Sequence, residues 1–96
     1  MVLKKTGKDM PTIKVKLFAN FREFTKTKEL KMQGGTVRDV LVKLCNEYPG
    51  LEDMLFKNEN LRPHVNVFLN GRDIPGLDTP LKQDDEMAIF PPVSGG

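Results

Sequence analysis

Ninety-six residues, 39% of them hydrophobic and 29% charged, with 15 basic against 13 acidic side chains and a formal charge of +2, make one domain with a single modest core. That size leaves little room for an enclosed cofactor, and the charge balance demands neither a nucleic acid nor a membrane as partner. A single cysteine, Cys45, excludes an intramolecular disulfide, and no run of about 18 apolar residues or signal-like apolar core is present, so a cytoplasmic protein, monomeric when free, is expected.

Residues 1–11 carry Lys4, Lys5, Lys8 and Asp9 beside Gly7 and Pro11 and hold too little apolar surface to order themselves, which predicts a flexible N-terminal extension. From Thr12 to Phe18, Ile13, Val15 and Leu17 alternate with Lys14 and Lys16, the period of a strand with one buried face. Residues 19–24 read as a loop. Residues 27–32, with Leu30 and Met32 turned inward, complete a hairpin that exits through Gln33-Gly34-Gly35.

Thr36, followed by Asp39, opens an amphipathic run as a capping-box-like pair in which each side chain accepts an N–H of the first turn. Val37, Val40, Leu41, Leu44, Cys45 and Tyr48 form one helical stripe, and Pro49-Gly50 stops it. Cys45 lies inside the stripe, where a small buried hydrophobe is a better reading than a catalytic thiol. Residues 51–56 suit a short helical turn and 57–63 a loop.

A second alternating strand spans 64–69, and Asn70-Gly71 after it is a type I′ hairpin signal because both residues tolerate φ > 0. Residues 72–74 give a short return strand, 75–81 cross the surface, and Lys82-Gln83-Asp84-Asp85 turn the chain into a last strand that includes Met87 and Ile89. Asp84 and Asp85 suit turn chemistry better than paired acid–base catalysis. Pro91 and Pro92 cannot donate to a sheet ladder and end the strand. Gly95 and Gly96 have no Cβ, so residues 91–96 are expected to form a flexible, slender tail with a bare carboxylate at its tip.

The order strand, strand, helix, strand, short strand, strand predicts an α+β, β-grasp (ubiquitin-like) domain over residues 12–90. Its mixed sheet of four to five strands has one main helix across one face, and the first and last strands run parallel at its centre. The odd-numbered residues of the three long strands then face the helix. Phe18, Phe68, Ala88 and Phe90 face away, so three phenylalanines are expected to share an open face beside the tail, in the manner of an interface.

Ile-Lys-Val-Lys-Leu-Phe-Ala (13–19), Arg22-Glu23, the capped helix from Thr36, Leu-Asn-Gly-Arg-Asp-Ile (69–74), Leu81 with Asp84-Asp85-Glu86, and above all Phe-Pro-Pro-Val-Ser-Gly-Gly (90–96) resemble the ubiquitin-like sulfur carriers of the molybdopterin synthase small-subunit type and the small archaeal modifier proteins. The chain departs from that pattern in its N-terminal extension and in Asp85, where many relatives have glycine. The resemblance implies that an E1-like enzyme adenylates Gly96, with Gly95 admitting the tail to its active site. The product would be a thiocarboxylate for molybdopterin synthesis or tRNA thiolation, or an isopeptide bond to a lysine of a target protein. The implied partners are the E1-like enzyme and either the molybdopterin synthase large subunit or target lysines, met through Phe18, Phe68, Phe90, Pro91, Pro92, Val93 and Ser94.

The residues ask for the same division of labour. A carboxylate is a poor acyl donor until an oxygen becomes a leaving group, and no phosphate-cradling glycine loop is present, so ATP belongs to a partner and no cofactor is expected on this chain. His64 is the single histidine and Ser94 the single serine, with no Cys-x-x-Cys or His-Glu-x-x-His, so neither a catalytic residue nor a metal site is expected in the chain itself. The alternative is a β-grasp interaction module that binds through its phenylalanine face and never reacts at its end. Nucleic-acid binding through the lysine-rich start is the weaker third reading.

Overall fold

A computed structural model of the chain describes residues 10–63 and 65–91. His64, Pro92, Val93, Ser94, Gly95 and Gly96, together with residues 1–9 of the expected extension, lie outside the described residues.

Alternation produces the strands. In β1, Thr12–Leu17, every second residue is buried, and the same holds in β7, Glu86–Phe90. The other strands of the main sheet are β2 (Glu29–Gln33), β5 (Asn66–Leu69) and β6 (Arg72–Asp73), in the spatial order β2-β1-β7-β5-β6. β1 and β7 pair in parallel, with Val15 opposite Met87 and Leu17 opposite Ile89, while the remaining pairs are antiparallel. A parallel pair at the sheet's centre needs a crossover between its strands, and the helix α2, Val37–Glu47, lies on that crossover. The β-grasp expectation holds, with the sheet at the upper end of its predicted strand number.

The helical stripe and the odd-numbered strand residues meet in one core. Ile13, Val15, Leu17, Val67, Met87 and Ile89 pack with Val37, Val40, Leu41 and Leu44, while Cys45 and Tyr48 close the stripe as half-buried members. Gly34 is held against this core: a Cβ there would stand 2.7 Å from Val40 Cγ2 and 3.3 Å from the Val40 amide. Because Val40 is fully buried and stiff at χ1, Gly34→Ala is expected to lower the unfolding free energy by about 1–3 kcal/mol, the cost of overpacking, as read from a urea titration.

The predicted cap is present with one change. Thr36 Oγ1 accepts the Asp39 N–H at 3.2 Å, as expected, but the Asp39 carboxylate accepts from Gly35, one residue before the cap, at 3.2 Å. The next free amides are taken by distant carbonyls: Val37 donates to Thr79 at 3.0 Å and Arg38 to Leu77 at 2.8 Å. Residues 75–81 are therefore not a loop loose on the surface. They cap α2 by backbone contacts, and Leu81 is buried, its N–H donating to the Gly35 carbonyl at 3.0 Å.

Three other expectations are corrected. Residues 19–24 are not a loop but most of a helix, α1 (Ala19–Thr25), which buries Phe21 and Thr25; the Thr25 hydroxyl donates to the Phe21 carbonyl at 3.0 Å. Phe18 precedes it without a side-chain cap, and seven residues are too few to hold a helix alone, so burial of Phe21 stabilises it. Residues 57–63 are not wholly loop: after α3 (Leu51–Leu55), β3 (Phe56–Lys57) and β4 (Asn60–Leu61) form a small hairpin. Its turn residues Asn58 and Glu59 have φ of 53° and 70°, a left-handed pair that glutamate does not advertise. Finally, Pro11, placed with the extension, is tied to the fold because its carbonyl accepts the Gly34 N–H at 3.1 Å.

The Asn70-Gly71 turn forms as expected, with φ of 52° and 82°. Asn70 also braces the entry to β7, donating to the Asp85 carboxylate at 2.8 Å and accepting the Glu86 N–H at 3.0 Å. Asp85 accepts the Lys82 N–H at 2.8 Å as well, and the residue with positive φ in this turn is its neighbour Asp84. The acidic pair thus serves the turn.

Candidate functional site: the aromatic ridge at the end of the central strands

β7 is the rigid member of the site because it is paired on both sides, with β1 and with β5. It ends at Phe90, and the chain leaves it through the half-buried Pro91, whose ring cannot extend the ladder. Since β1 runs parallel to β7, its own end, Phe18, reaches the same edge of the sheet. Pro91 therefore leaves the sheet beside Phe18 and Phe90.

The sheet's outer face at that edge is aromatic. The Phe18 and Phe90 rings stack with centroids 4.4 Å apart and planes 5° from parallel. Phe68 comes from β5, where Asn66 pairs with Phe90 and Phe68 with Ala88; its ring lies 5.5 Å from that of Phe90, tilted by 54°. Ala88 lies between Lys16 and Phe68 in the row below the stack, and its small side chain keeps that row low. Among the described residues all three rings are half-buried and lie outside the core cluster, each in contact with another ring of the three. The structure thus brings together Phe18, Phe68, Phe90 and Pro91 among the predicted site residues, and the rest of the predicted tail lies outside the described residues.

Below the ridge the outer face is charged. Lys14 Nζ lies 3.7 Å from Glu29 and 3.8 Å from Glu86, and Lys16 Nζ lies 3.4 Å from Glu86. These pairs are exposed and contribute about 0–1 kcal/mol each. A cleft of about 190 Å³ opens next to Phe18, lined by Lys16, Leu17, Phe18, Arg22, Lys28 and Glu29. The sequence reading did not find it: Arg22 comes from the unpredicted helix α1, and Lys28 follows it in the turn before β2.

On the opposite, helix side, Cys45 lines a cleft of about 260 Å³ with Val42 and Phe56, rimmed by Arg38, Asn46, Glu52 and Glu59. Burial, and secondarily the Glu52 carboxylate, push the thiol up to about 11. At neutral pH Cys45 is therefore a protonated packing group. Cys45→Ala is expected to lower the unfolding free energy by about 1 kcal/mol while leaving the chemistry of the tail intact. Because the folded state holds the thiol proton above its unfolded value near 8.5, the thiol's stabilising contribution is full below pH 8.5 and declines as pH rises toward 11. Urea titrations at pH 8 and pH 10 check this, since the alanine variant should lose that part of the decline.

Among the described residues no group of His, Cys, Asp or Glu is placed to hold a metal ion, and no helix is long and apolar enough to cross a membrane. No buried side-chain nitrogen or oxygen among them lacks a hydrogen-bond partner.

Comparison with known proteins agrees with this geometry. A model of the ThiS family matches residues 15–96. The chain is 40% identical over 90 residues to small archaeal modifier protein 3 of Haloferax volcanii, covering 88% of this chain and 98% of that protein. It is 34% identical over 87 residues to the molybdopterin synthase sulfur carrier subunit of Arabidopsis thaliana, covering 88% of this chain and 82% of that one. The solution structure of small archaeal modifier protein 1 from Methanosarcina acetivorans superposes with a TM-score of 0.82 at 42% identity, over 91% of this chain and 98% of that chain. These relatives are modifiers and a carrier subunit, not catalysts in their own right. A double-sided central strand, an exit beside a stacked aromatic ridge and a family match that runs through residue 96 converge on one conclusion: the chain belongs to the ThiS family, with the ubiquitin-like β-grasp fold of the small archaeal modifiers.

Proposed function

We propose that this chain is a ubiquitin-like carrier that works through an activated Gly96. An oxygen of the Gly96 carboxylate attacks the α-phosphorus of ATP in the active site of an E1-like enzyme and pyrophosphate leaves. The acyl-adenylate then exchanges AMP for a sulfur nucleophile, giving a thiocarboxylate, or for a lysine amine, giving an isopeptide bond. ATP is handled by the enzyme. The carrier's residues dock through Phe18, Phe68 and Phe90, and Pro91, Pro92, Val93 and Ser94 conduct Gly95 and Gly96 to the site. The observation that carries this reading is the parallel pairing of β1 with β7, which sets the aromatic ridge at the edge from which the chain departs.

Both uses of the adenylate have support, since the relatives include modifiers and a sulfur carrier subunit of a synthase. The acceptors are accordingly the large subunit of a molybdopterin synthase, a tRNA-thiolating system, or lysines of target proteins, all met in the cytoplasm. Intact mass spectrometry after incubation with the E1-like enzyme, ATP and a sulfur donor is the test: a gain equal to sulfur replacing oxygen reports the thiocarboxylate, and Gly-Gly remnants on lysines after proteolysis report conjugation. If neither product forms and no ATP–pyrophosphate exchange accompanies the incubation, the chain is a non-reacting interaction module instead.

A further inference from the structure

The charges around the ridge are not evenly spread. At the edge where β1 and β7 end, the cleft beside Phe18 is lined by three cations, Lys16, Arg22 and Lys28, against one carboxylate, Glu29. Glu29 is turned to Lys14 at 3.7 Å and Lys16 to Glu86 at 3.4 Å. Arg22 and Lys28 are exposed, and among the described residues no carboxylate lies within 4.0 Å of either. At the opposite edge, where β7 begins, stand Asp84, Asp85 and Glu86. Lys14 and Lys31 share that second edge with them, so the excess of cations belongs to the cleft beside Phe18 and not to a whole edge of the sheet.

Folding explains none of this. Among the described residues neither Arg22 nor Lys28 gains a carboxylate partner from its position, and Leu17 and Phe18 give the cleft an apolar lining beside which the Lys28 stem can lie while its charge stays in water. A guanidinium beside such a floor is a fork for a carboxylate, which it binds through two parallel N–H donors. An acidic group seated there would stand at the rim of the Phe18–Phe90 stack, the usual place of charge in a docking surface: rim charges guide association and an aromatic centre supplies the hold.

We infer that the cleft between Lys16, Arg22 and Lys28 receives a carboxylate side chain of the activating partner. That partner's docking surface is then an apolar recess for Phe18 and Phe90 bordered by acidic residues. The inference rests on the reading of the ridge as partner-facing, and it adds the chemistry of the partner and the pair, Arg22 and Lys28, that selects it. Its physical effect is orientation: a cationic cleft meeting an acidic surface turns the carrier so that the ridge arrives first.

The test uses the full chain and the purified E1-like adenylating enzyme of the same organism, with association followed by stopped-flow fluorescence. Arg22→Ala combined with Lys28→Ala removes two exposed charges that have no carboxylate within 4.0 Å among the described residues, so the fold is expected to persist, as checked by circular dichroism. At low ionic strength, where charges are felt over about 30 Å, the double variant should associate about tenfold more slowly than the unaltered chain; in about 1 M salt, where they reach about 3 Å, the two should coincide. Phe90→Ala is the reference, expected to dissociate faster at every salt concentration. Equal association of the double variant and the unaltered chain at low salt, with Phe90→Ala still impaired, overturns the acidic-partner inference and leaves the ridge standing. Slower association by the same factor at all salt concentrations overturns it too, since that is a packing effect. If Phe90→Ala binds normally as well, the ridge reading falls and takes this inference with it.

Discussion

Removal of Gly95 and Gly96, or addition of a single alanine after Gly96, is expected to abolish adenylation. In the proposed function the reacting group is the α-carboxylate of residue 96, and extension by one residue both moves that carboxylate and adds a Cβ that glycine lacks. The loss should be large, because the α-carboxylate of either variant no longer follows Gly-Gly at the reach of the native tail. ATP–pyrophosphate exchange with the E1-like enzyme measures it. Urea unfolding is the control: the described core runs from Ile13 to Ile89, and removal of the tail is expected to change the unfolding free energy by no more than a surface change does, about 0.5 kcal/mol. An alanine-extended chain that is still adenylated would overturn the requirement for a glycine carboxylate at position 96, whereas an unaltered chain that supports no exchange would replace the carrier by the interaction-module reading.

Phe90→Ala is expected to weaken binding to the activating enzyme by about 2 kcal/mol, roughly 30-fold in Kd, as loss of a central aromatic anchor does. Phe90 is in contact with both other rings of the ridge, 4.4 Å from Phe18 and 5.5 Å from Phe68, so its removal also uncouples them from one another. Stability should fall by only about 1–2 kcal/mol, the worth of the ring pairs and of half a side chain's burial, and not by the roughly 3–5 kcal/mol of a fully buried phenylalanine. Titration calorimetry for binding and urea unfolding for stability separate the two effects. A variant that binds the enzyme as before but unfolds easily would assign the ridge to folding and not to recognition.

Part of this arrangement is local and therefore legible from the residues alone. The alternation at Ile13, Val15 and Leu17 names the buried face of a strand whatever it pairs with, and the spacing from Val37 to Leu44 names the buried stripe of a helix before any sheet is placed against it. Asn70-Gly71 and Pro91 act within one or two residues of themselves, so the hairpin and the end of the last strand could be read directly. The same parity put Phe18, Phe68 and Phe90 on one face, since a pleat leaves them no other. Phe-Pro-Pro-Val-Ser-Gly-Gly pointed to the family by itself.

What the sequence could not settle depends on contacts between residues far apart along the chain. Helix α1 has no capping side chain and is too short to stand alone; it exists because Phe21 finds the core. Residues 75–81 look like a free loop until the amides of Val37 and Arg38 are seen to need the carbonyls of Thr79 and Leu77. Asn58-Glu59 turns a hairpin that only the pairing of Phe56 with Leu61 justifies. The stacking of Phe18 on Phe90, and the gathering of Lys16, Arg22 and Lys28 at one edge, follow from the parallel register of β1 and β7. Shared parity says which residues lie on a face, but the order and direction of the strands decide which of them touch, and that order is set by burial of the whole core at once.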